Sequence, residues 1–437
     1  MNIQQLIDER PMTTAQLVII FCCFILNMLD GMDVVVASYV APRIIEEWSV
    51  ASQTFGLVFS AALVGMATGA MFISPYTDVI GRRKMVLICM VIVSIGMFLT
   101  AFANTIPELI VLRLFTGLGI GSMLASLTSV ACEYSSNSRR NLVISFVLSG
   151  YPVGATCTGF LAAWLIPEYG WRSMFFAGAA LSGLLLPVMF LSLPESLEFL
   201  LKKRPKHALE TANRILRRMK YEVLDVLPVQ DSPAGKSGDS LIGNITSLLA
   251  AERAGATLRL WLAFFMAFFT LYFLLSWIPK ITEDTGLTAA QGSYAGAIFN
   301  FGSFFGIVFL GHISAVFGLK RIIFIFMILA SILMVIFGMF KFSVVPFMLV
   351  LFVLGFFVQG GFVGLYSVAA RLYPVEIRTT GVGWGIGLGR FGAIIAPALG
   401  GMAIGFGLPV AVTFTLFALP FVIAGFAEVT IRSRHID

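Results

Sequence analysis

Ionisable side chains are what this sequence has least of: Asp, Glu, Lys and Arg together make 12% of its 437 residues, against roughly a quarter in soluble domains. A chain so poor in ions, with 58% apolar side chains, cannot clothe itself in a hydrated surface. Cysteine is nearly as sparse. Cys22, Cys23, Cys89, Cys132 and Cys157 lie in or at the end of apolar segments with no zinc-site or disulfide spacing, so all five read as packing residues. With only three histidines there is no metal-ligand cluster, and no nucleophile motif occurs. An enzyme is therefore not expected, and neither is a metal nor an organic cofactor. A Gly-rich fingerprint at Gly387, Gly389 and Gly392 follows no strand and lies inside an apolar run, which removes a dinucleotide reading.

What is present is long apolar runs of about the 20 residues that a spanning helix needs. Windows bounded by charges, prolines and polar turns predict helices over 15–41, 53–75, 85–103, 107–131, 141–166 and 173–193. Six more follow over 259–279, 291–316, 321–340, 344–370, 379–404 and 409–430. The fold class is an all-α integral membrane protein with twelve spanning helices. The first run is too long for the core of a cleaved signal peptide and is expected to remain as the first helix.

Lys and Arg are distributed very unevenly between alternate loops. One side holds Arg10, Arg82, Arg83, Lys84, Arg139, Arg140, the basic central loop, Lys320, Arg321, Arg371, Arg378, Arg432 and Arg434. The other has Arg43, Arg172, Lys280 and Lys341. Cytoplasmic loops retain positive charge, so both termini and the central loop are expected in the cytoplasm of a cell whose inner membrane carries the chain. The net charge of +6 marks topology by this argument, and no nucleic-acid partner is expected. Of 29 basic residues only Arg113 and Arg390 fall inside predicted spans away from their ends.

The expected organisation is a six-helix bundle over 1–193, a cytoplasmic loop over 194–258 and a second bundle over 259–437. In the loop, Ala208, Leu209, Ala212, Ile215, Leu216 and Met219 recur at helical spacing opposite a basic face, which predicts an amphipathic surface helix. The following DSPAGKSGDS is a linker by composition. Asp78 to Lys84 (DVIGRRK) after the second helix answers Ala315 to Arg321 (AVFGLKR) after the eighth, and ACEYSSNSRRN leaves the fourth helix as AARLYPVEIRTT leaves the tenth. Two pseudo-symmetric six-helix bundles with a site between them are the architecture of alternating-access carriers.

Over essentially its full length the sequence resembles the major facilitator superfamily. Ser74 to Arg83 (SPYTDVIGRR) is similar to the superfamily's signature between helices two and three, departing at Ser74 and Val79. Arg113 to Gly121 (RLFTGLGIG) and Pro194-Glu195-Ser196 carry the same likeness. Leu29 to Asp33 (LDGMD) resembles the Asp-Gly-x-Asp motif of the aromatic acid:proton symporter family, supported by GYPVGAT, YGWRSMFF and RTTGVGWGIGLGRFGAIIAP. The resemblance implies import of benzoate, hydroxybenzoates or related acids with protons as the coupling ion, and the expected working unit is a monomer in the lipid bilayer. The alternative function is a proton-coupled porter for a non-aromatic organic acid, a quinate-like compound or a sugar. Against the sugar porter, the tail Glu428–Asp437 lacks a Pro-Glu-Thr ending.

Asp30 and Asp33 lie well inside the first span, where an ionised carboxylate costs several kcal/mol unless paired or wetted. At i and i+3 they share a helix face, and low dielectric with a like-charged neighbour favours uptake of a proton. They are the proton-coupling candidates, against an inter-helix polar pair as the plainer reading. Arg113 and Arg390 are the substrate-binding candidates because guanidinium grips a carboxylate in a fork. Arg113 lies at a depth where it can pair directly with Asp33, which leaves a permanent structural ion pair open. Gln359 and Tyr366 are further substrate candidates, with interhelical hydrogen bonding as their alternative. Asp78, Arg82, Glu133, Arg371, Glu376 and Arg378 lie at the cytoplasmic helix ends as gating candidates, with topological anchoring the alternative for Arg82. Asp78 is also placed to cap the eleventh helix near Thr379. The 41 Phe residues are read as packing or lipid-facing.

Overall fold

The computed structural model describes residues 11–136, 139–226, 248–250, 253–340, 343–373 and 375–431. The linker 231–240 lies outside the described residues. Among the described residues there is no strand, and twelve helices are long and apolar enough to cross a membrane. In chain order these are α1 (Thr14–Glu47), α2 (Ser52–Tyr76), α3 (Arg82–Thr100), α4 (Ile106–Glu133), α5 (Leu142–Tyr169) and α6 (Arg172–Ser192). Two short helices follow, α7 (Leu197–Lys203) and α8 (Ala208–Arg218). The spanning set resumes with α9 (Ala254–Asp284), α10 (Ala289–Phe317), α11 (Leu319–Met339), α12 (Val344–Leu372), α13 (Val375–Gly405) and α14 (Val410–Val429).

The helices outrun the apolar windows where polar termini are satisfied locally. α1 continues through Pro42 to an Arg43–Glu46 pair of 2.9 Å, and its last residue, Glu47, accepts from Trp171 Nε1 at 2.8 Å and Arg172 at 3.1 Å. α10 opens on a capping box, Thr288 Oγ1 accepting from Gln291 N at 3.3 Å while Gln291 Oε1 accepts from Thr288 N at 2.9 Å. The predicted surface helix forms as α8, and a second short helix, α7, precedes it, the two parted where Arg204 and His207 take left-handed φ of 47° and 63° on either side of Pro205. The apolar face of α8 is buried as expected through Ala208, Ala212, Ile215 and Leu216.

α2 loosens at its C-terminal end into a π turn, Gly69–Ile73, and a 3-10 turn, Ser74–Tyr76. The α3 start is entered through Gly81 at φ 106°, and its counterpart before α11 is Gly318 at φ 87°. Both angles exclude most L residues. A Cβ on Gly81 would also strike the Glu195 carboxylate, whereas the space before Gly318 is open.

The chain forms two compact units. The first contains Met1–Val34, Val64–Gly154 and Phe175–Gly235; the second contains Val35–Leu63, Ala155–Met174 and Lys236–Asp437. The first unit's core joins α1, α3, α4, α5 and α6 to α7 and α8, with Leu26, Val86, Leu127, Val147 and Leu216 fully buried. Within the second, α9 packs on α13, α10 on α12 and α11 on α14. Phe273 stacks on Phe417 at 3.8 Å between centroids. Cys22, Cys23 and Cys89 are buried as packing residues, but Cys157 is exposed, because its position on α5 turns it outward.

Candidate functional site

In the first unit Arg113 of α4 and Asp33 of α1 form a closed fork. Nη1 donates to Oδ1 at 3.0 Å, Nη2 donates to Oδ2 at 2.8 Å, and Nη2 also reaches the Asp33 carbonyl at 2.6 Å. Both side chains are 1% exposed, so neither charge is hydrated. Two parallel charge-assisted bonds offset the desolvation, helped by the Phe175 ring 5.9 Å from the guanidinium carbon. Removing one partner of such a pair costs about 3–5 kcal/mol, because the other is stranded. Asp30, three residues earlier, is 3% exposed. It borders a cavity of about 10 Å³ with Leu29, Met90, Ile120 and Ser182, room for about one water.

The second unit holds the other membrane cation in a different state. α13 runs from Val375 to Gly405, and Arg390 is its midpoint, fifteen residues from either end. Its side chain is half-buried, and none of the described residues gives it an ion pair or a hydrogen bond. It lies close enough to the Tyr366 hydroxyl for its charge to be felt there, and Tyr272 belongs to the same electrostatic group. Gln359 and Tyr366 are seven residues apart on α12 and so share a face. Between them Phe362 packs at 5.5 Å on Tyr366 and at 4.7 Å on Phe268. Phe264 meets Tyr366 edge-on at 5.4 Å, and Phe268 stacks at 6.0 Å on Tyr272. Gly385 and Gly389 of α13 admit the Phe264 and Phe268 rings. A guanidinium with no counter-charge among the described residues thus lies near the Tyr366 hydroxyl, on a helix whose glycines pack against aromatic rings. Such a group can take a carboxylate in a fork and a ring by edge or face contact.

One face of α13 changes character at Arg390. Toward the C-terminus of α13, Ser60 Oγ donates to the Ile394 carbonyl at 2.6 Å and Trp277 Nε1 to the Pro397 carbonyl at 2.9 Å. Gly401 lies against the backbone of Ser52 and Gln53. Toward its N-terminus, Gly387 and Gly383 on the same face have open space before them. Arg390 sits where that face stops being covered. The C-terminal stretches of α1 and α5 close in the same manner on α10, with Thr156 Oγ1 donating to the Ala297 carbonyl at 3.4 Å, while Tyr39 donates to the Ala155 carbonyl at 3.1 Å.

The Major Facilitator Superfamily sequence profile matches residues 23–247 and 260–434. The chain belongs to the Major Facilitator Superfamily. It is 32% identical to the gallate transporter of Pseudomonas putida over 96% of this chain and 92% of that one. It is likewise 32% identical to the 4-hydroxybenzoate transporter PcaK of Pseudomonas putida, over 97% and 94% of the two chains. A crystal structure of a D-xylose-proton symporter superposes with a TM-score of 0.73 at 16% identity, covering 95% of this chain and 99% of that one. That likeness is one of fold. Twelve helices in two pseudo-symmetric bundles are the architecture of this superfamily member, and it is a transporter rather than an enzyme.

The superfamily signature loop is held from within the first unit. Arg82 pairs with Glu133 and, at 3.2 Å, with Glu198. Glu195 accepts from Arg83 N and Ser196 N at 3.0 Å each, and Ser196 Oγ donates to Glu133 at 2.7 Å. Arg82 and Glu133 are therefore brought together, with α7 supplying a third charge that sequence reading did not name. Arg371 is exposed at the end of α12, and no described residue pairs with it. The side chains of Asp78, Glu376, Arg378 and Thr379, and with them the proposed cap, lie outside the described residues. Sequence reading also passed over Phe264, Phe268 and Phe362, treated as packing among many others. The signal was the spacing of Trp261, Phe264, Phe268 and Tyr272 along one face of α9, opposite glycines at four-residue spacing on α13.

Proposed function

We propose that this superfamily member is a proton-coupled symporter that imports a small aromatic carboxylate, such as benzoate or a hydroxybenzoate, by alternating access. The observation that carries the reading is Arg390, a half-buried guanidinium with no counter-charge among the described residues, at the middle of α13 and near the Tyr366 hydroxyl, on a helix whose glycines pack on the Phe264 and Phe268 rings. A half-buried cation with no such partner is costly, and an anionic substrate removes that cost only while it is bound. Relatives named for gallate and 4-hydroxybenzoate transport support the same substrate class.

An anion entering a negative-inside cell is opposed by about 2.3 kcal/mol per charge per 100 mV. One co-transported proton cancels its charge, and more than one makes entry favourable. Asp30 and Asp33 are the proton carriers in this scheme. Protonation of Asp33 weakens its fork on Arg113, and Asp30 borders space for the water that delivers the proton. Arg390, Gln359 and Tyr366 hold the substrate, with Arg113 available once Asp33 is neutral. The bundles over 1–193 and 259–437 rock about that site, the monomer lying in the inner membrane with its basic loops and both termini in the cytoplasm. Arg82, Glu133, Arg371 and the charges at Asp78, Glu376 and Arg378 form the inner gate.

Uptake of labelled benzoate and 4-hydroxybenzoate into vesicles, with and without an inward proton gradient, tests the reading. Gradient-driven uptake that is competed by aromatic acids and not by xylose or quinate is expected. Competition by sugars alone overturns it.

A further inference from the structure

The inner end of the first unit carries two hollows that meet at one side chain. A groove of about 340 Å³ runs between α1, α6 and α8, lined by apolar side chains including Val18, Ile19, Leu191, Ile215 and Met219, with Arg218 at its rim. Val18 is 46% and Leu191 72% exposed, so the groove opens sideways onto the apolar perimeter of the helices. On the other side of Arg218 a hollow of about 570 Å³ is lined by Arg214, Arg217 and Arg218 with Glu210, Asn213 and Leu209.

The three arginines stand at i, i+3 and i+4 on α8, all exposed, and no described residue pairs with or hydrogen-bonds any of them. The one acid of α8, Glu210, is taken at 3.2 Å by His207. Their place in the last turns of α8 suits the helix dipole, but that does not account for an apolar groove beginning where the charges end. Three guanidiniums beside a groove that faces hydrocarbon match an amphiphile with an anionic head.

We propose that α8 and the inner ends of α1 and α6 bind an anionic phospholipid from the leaflet on the side of the basic loops. The phosphate lies against Arg214, Arg217 and Arg218, and an acyl chain lies along Val18 and Leu191. Clusters of basic residues on an amphipathic helix attract anionic headgroups, and the groove adds selectivity for a lipid over a soluble phosphate. The bound lipid would cross-link α8 to the start of α1, whose Gln16 already donates to the Tyr134 carbonyl at 3.1 Å.

The test uses the full-length protein purified in a neutral detergent, with native mass spectrometry and thermal melting as readouts. Phosphatidylglycerol is expected to bind and raise the melting temperature, while phosphatidylcholine, glycerol phosphate and inorganic phosphate do neither. R214Q/R217Q/R218Q is expected to weaken phosphatidylglycerol at least 10-fold. Val18→Trp, which keeps every charge and fills the groove, is expected to weaken it by a similar factor. The control R139Q/R140Q removes two basic charges elsewhere and is expected to bind as the parent does. Equal losses in the control reduce the effect to general charge attraction and overturn the proposal. So does full binding by Val18→Trp, or displacement of the lipid by millimolar inorganic phosphate.

Discussion

The two arginines within the spans should respond to truncation in opposite ways. Arg113→Ala strands the Asp33 carboxylate at 1% exposure, and the loss of one partner from such a pair costs about 3–5 kcal/mol of stability. Arg390→Ala strands none of the described residues, because none of them pairs with it, so the melting temperature should hold or rise. Its cost appears only with substrate. A fork to a carboxylate comprises two charge-assisted bonds at about 1.5–3 kcal/mol each, so Arg390→Lys, which keeps the charge and one bond, should weaken benzoate binding about 10- to 100-fold. Arg390→Ala should weaken it by at least about 100-fold by the same arithmetic. Calorimetric titration of benzoate into detergent-purified variants, beside their thermal melts, reads both quantities on one preparation. Wild-type affinity in Arg390→Ala, or a wild-type melt in Arg113→Ala, would refute the assignment of one arginine to substrate and the other to the ion pair.

Asp33→Asn and Asp30→Asn should each abolish the stimulation of uptake by a proton gradient while leaving substrate exchange at equal pH measurable; undiminished gradient-driven uptake in both would remove the aspartates from coupling. Tyr366→Phe keeps the ring that meets Phe264 at 5.4 Å and deletes one hydroxyl, so it should cost about 1 kcal/mol in substrate affinity, read as a roughly five-fold rise in half-saturation. Gly387→Leu fills the open face one turn before Arg390 on α13 and should cut aromatic-acid uptake at least 10-fold without lowering the melting temperature. Trp277→Phe deletes the 2.9 Å bond to the Pro397 carbonyl, worth about 1 kcal/mol. It should raise labelling of cysteines introduced beside Ser60; unchanged labelling would mean that this bond does not hold the outer seam.

The spans were legible because a segment in hydrocarbon must satisfy its backbone internally, which leaves apolar length as a nearly sufficient signal. Ends were less so. The first window stops before Pro42, yet Pro42 is inside the helix, since the polar end beyond it is satisfied by pairs such as Arg43–Glu46 that hydropathy does not register. Arg113 with Asp33 was legible from depth alone, one charge of each sign at a similar level. What depth could not give was the difference between Arg113 and Arg390. That difference is set by side-chain direction across four helices, and only packing fixes it. The aromatic surround of Arg390 was hidden by abundance: in a chain with 41 Phe residues, ring content singles out none of them.

Gly81 and Gly318 occupy matching places in the two halves, and the unequal space around them bears on how the duplicated sequence can drift. At Gly81 a replacement fails twice, once on the backbone angle and once against the Glu195 carboxylate. At Gly318 it fails on the angle alone, because φ 87° with ψ 137° lies outside the left-handed α region that asparagine tolerates and close to a region only glycine adopts readily. A selection from a library randomised at both positions should therefore return glycine at both, with substitutes depleted further at Gly81 than at Gly318. Loops in matching places need not be pinned by the same means, and here one is held by its backbone angle and the other by its angle and a carboxylate.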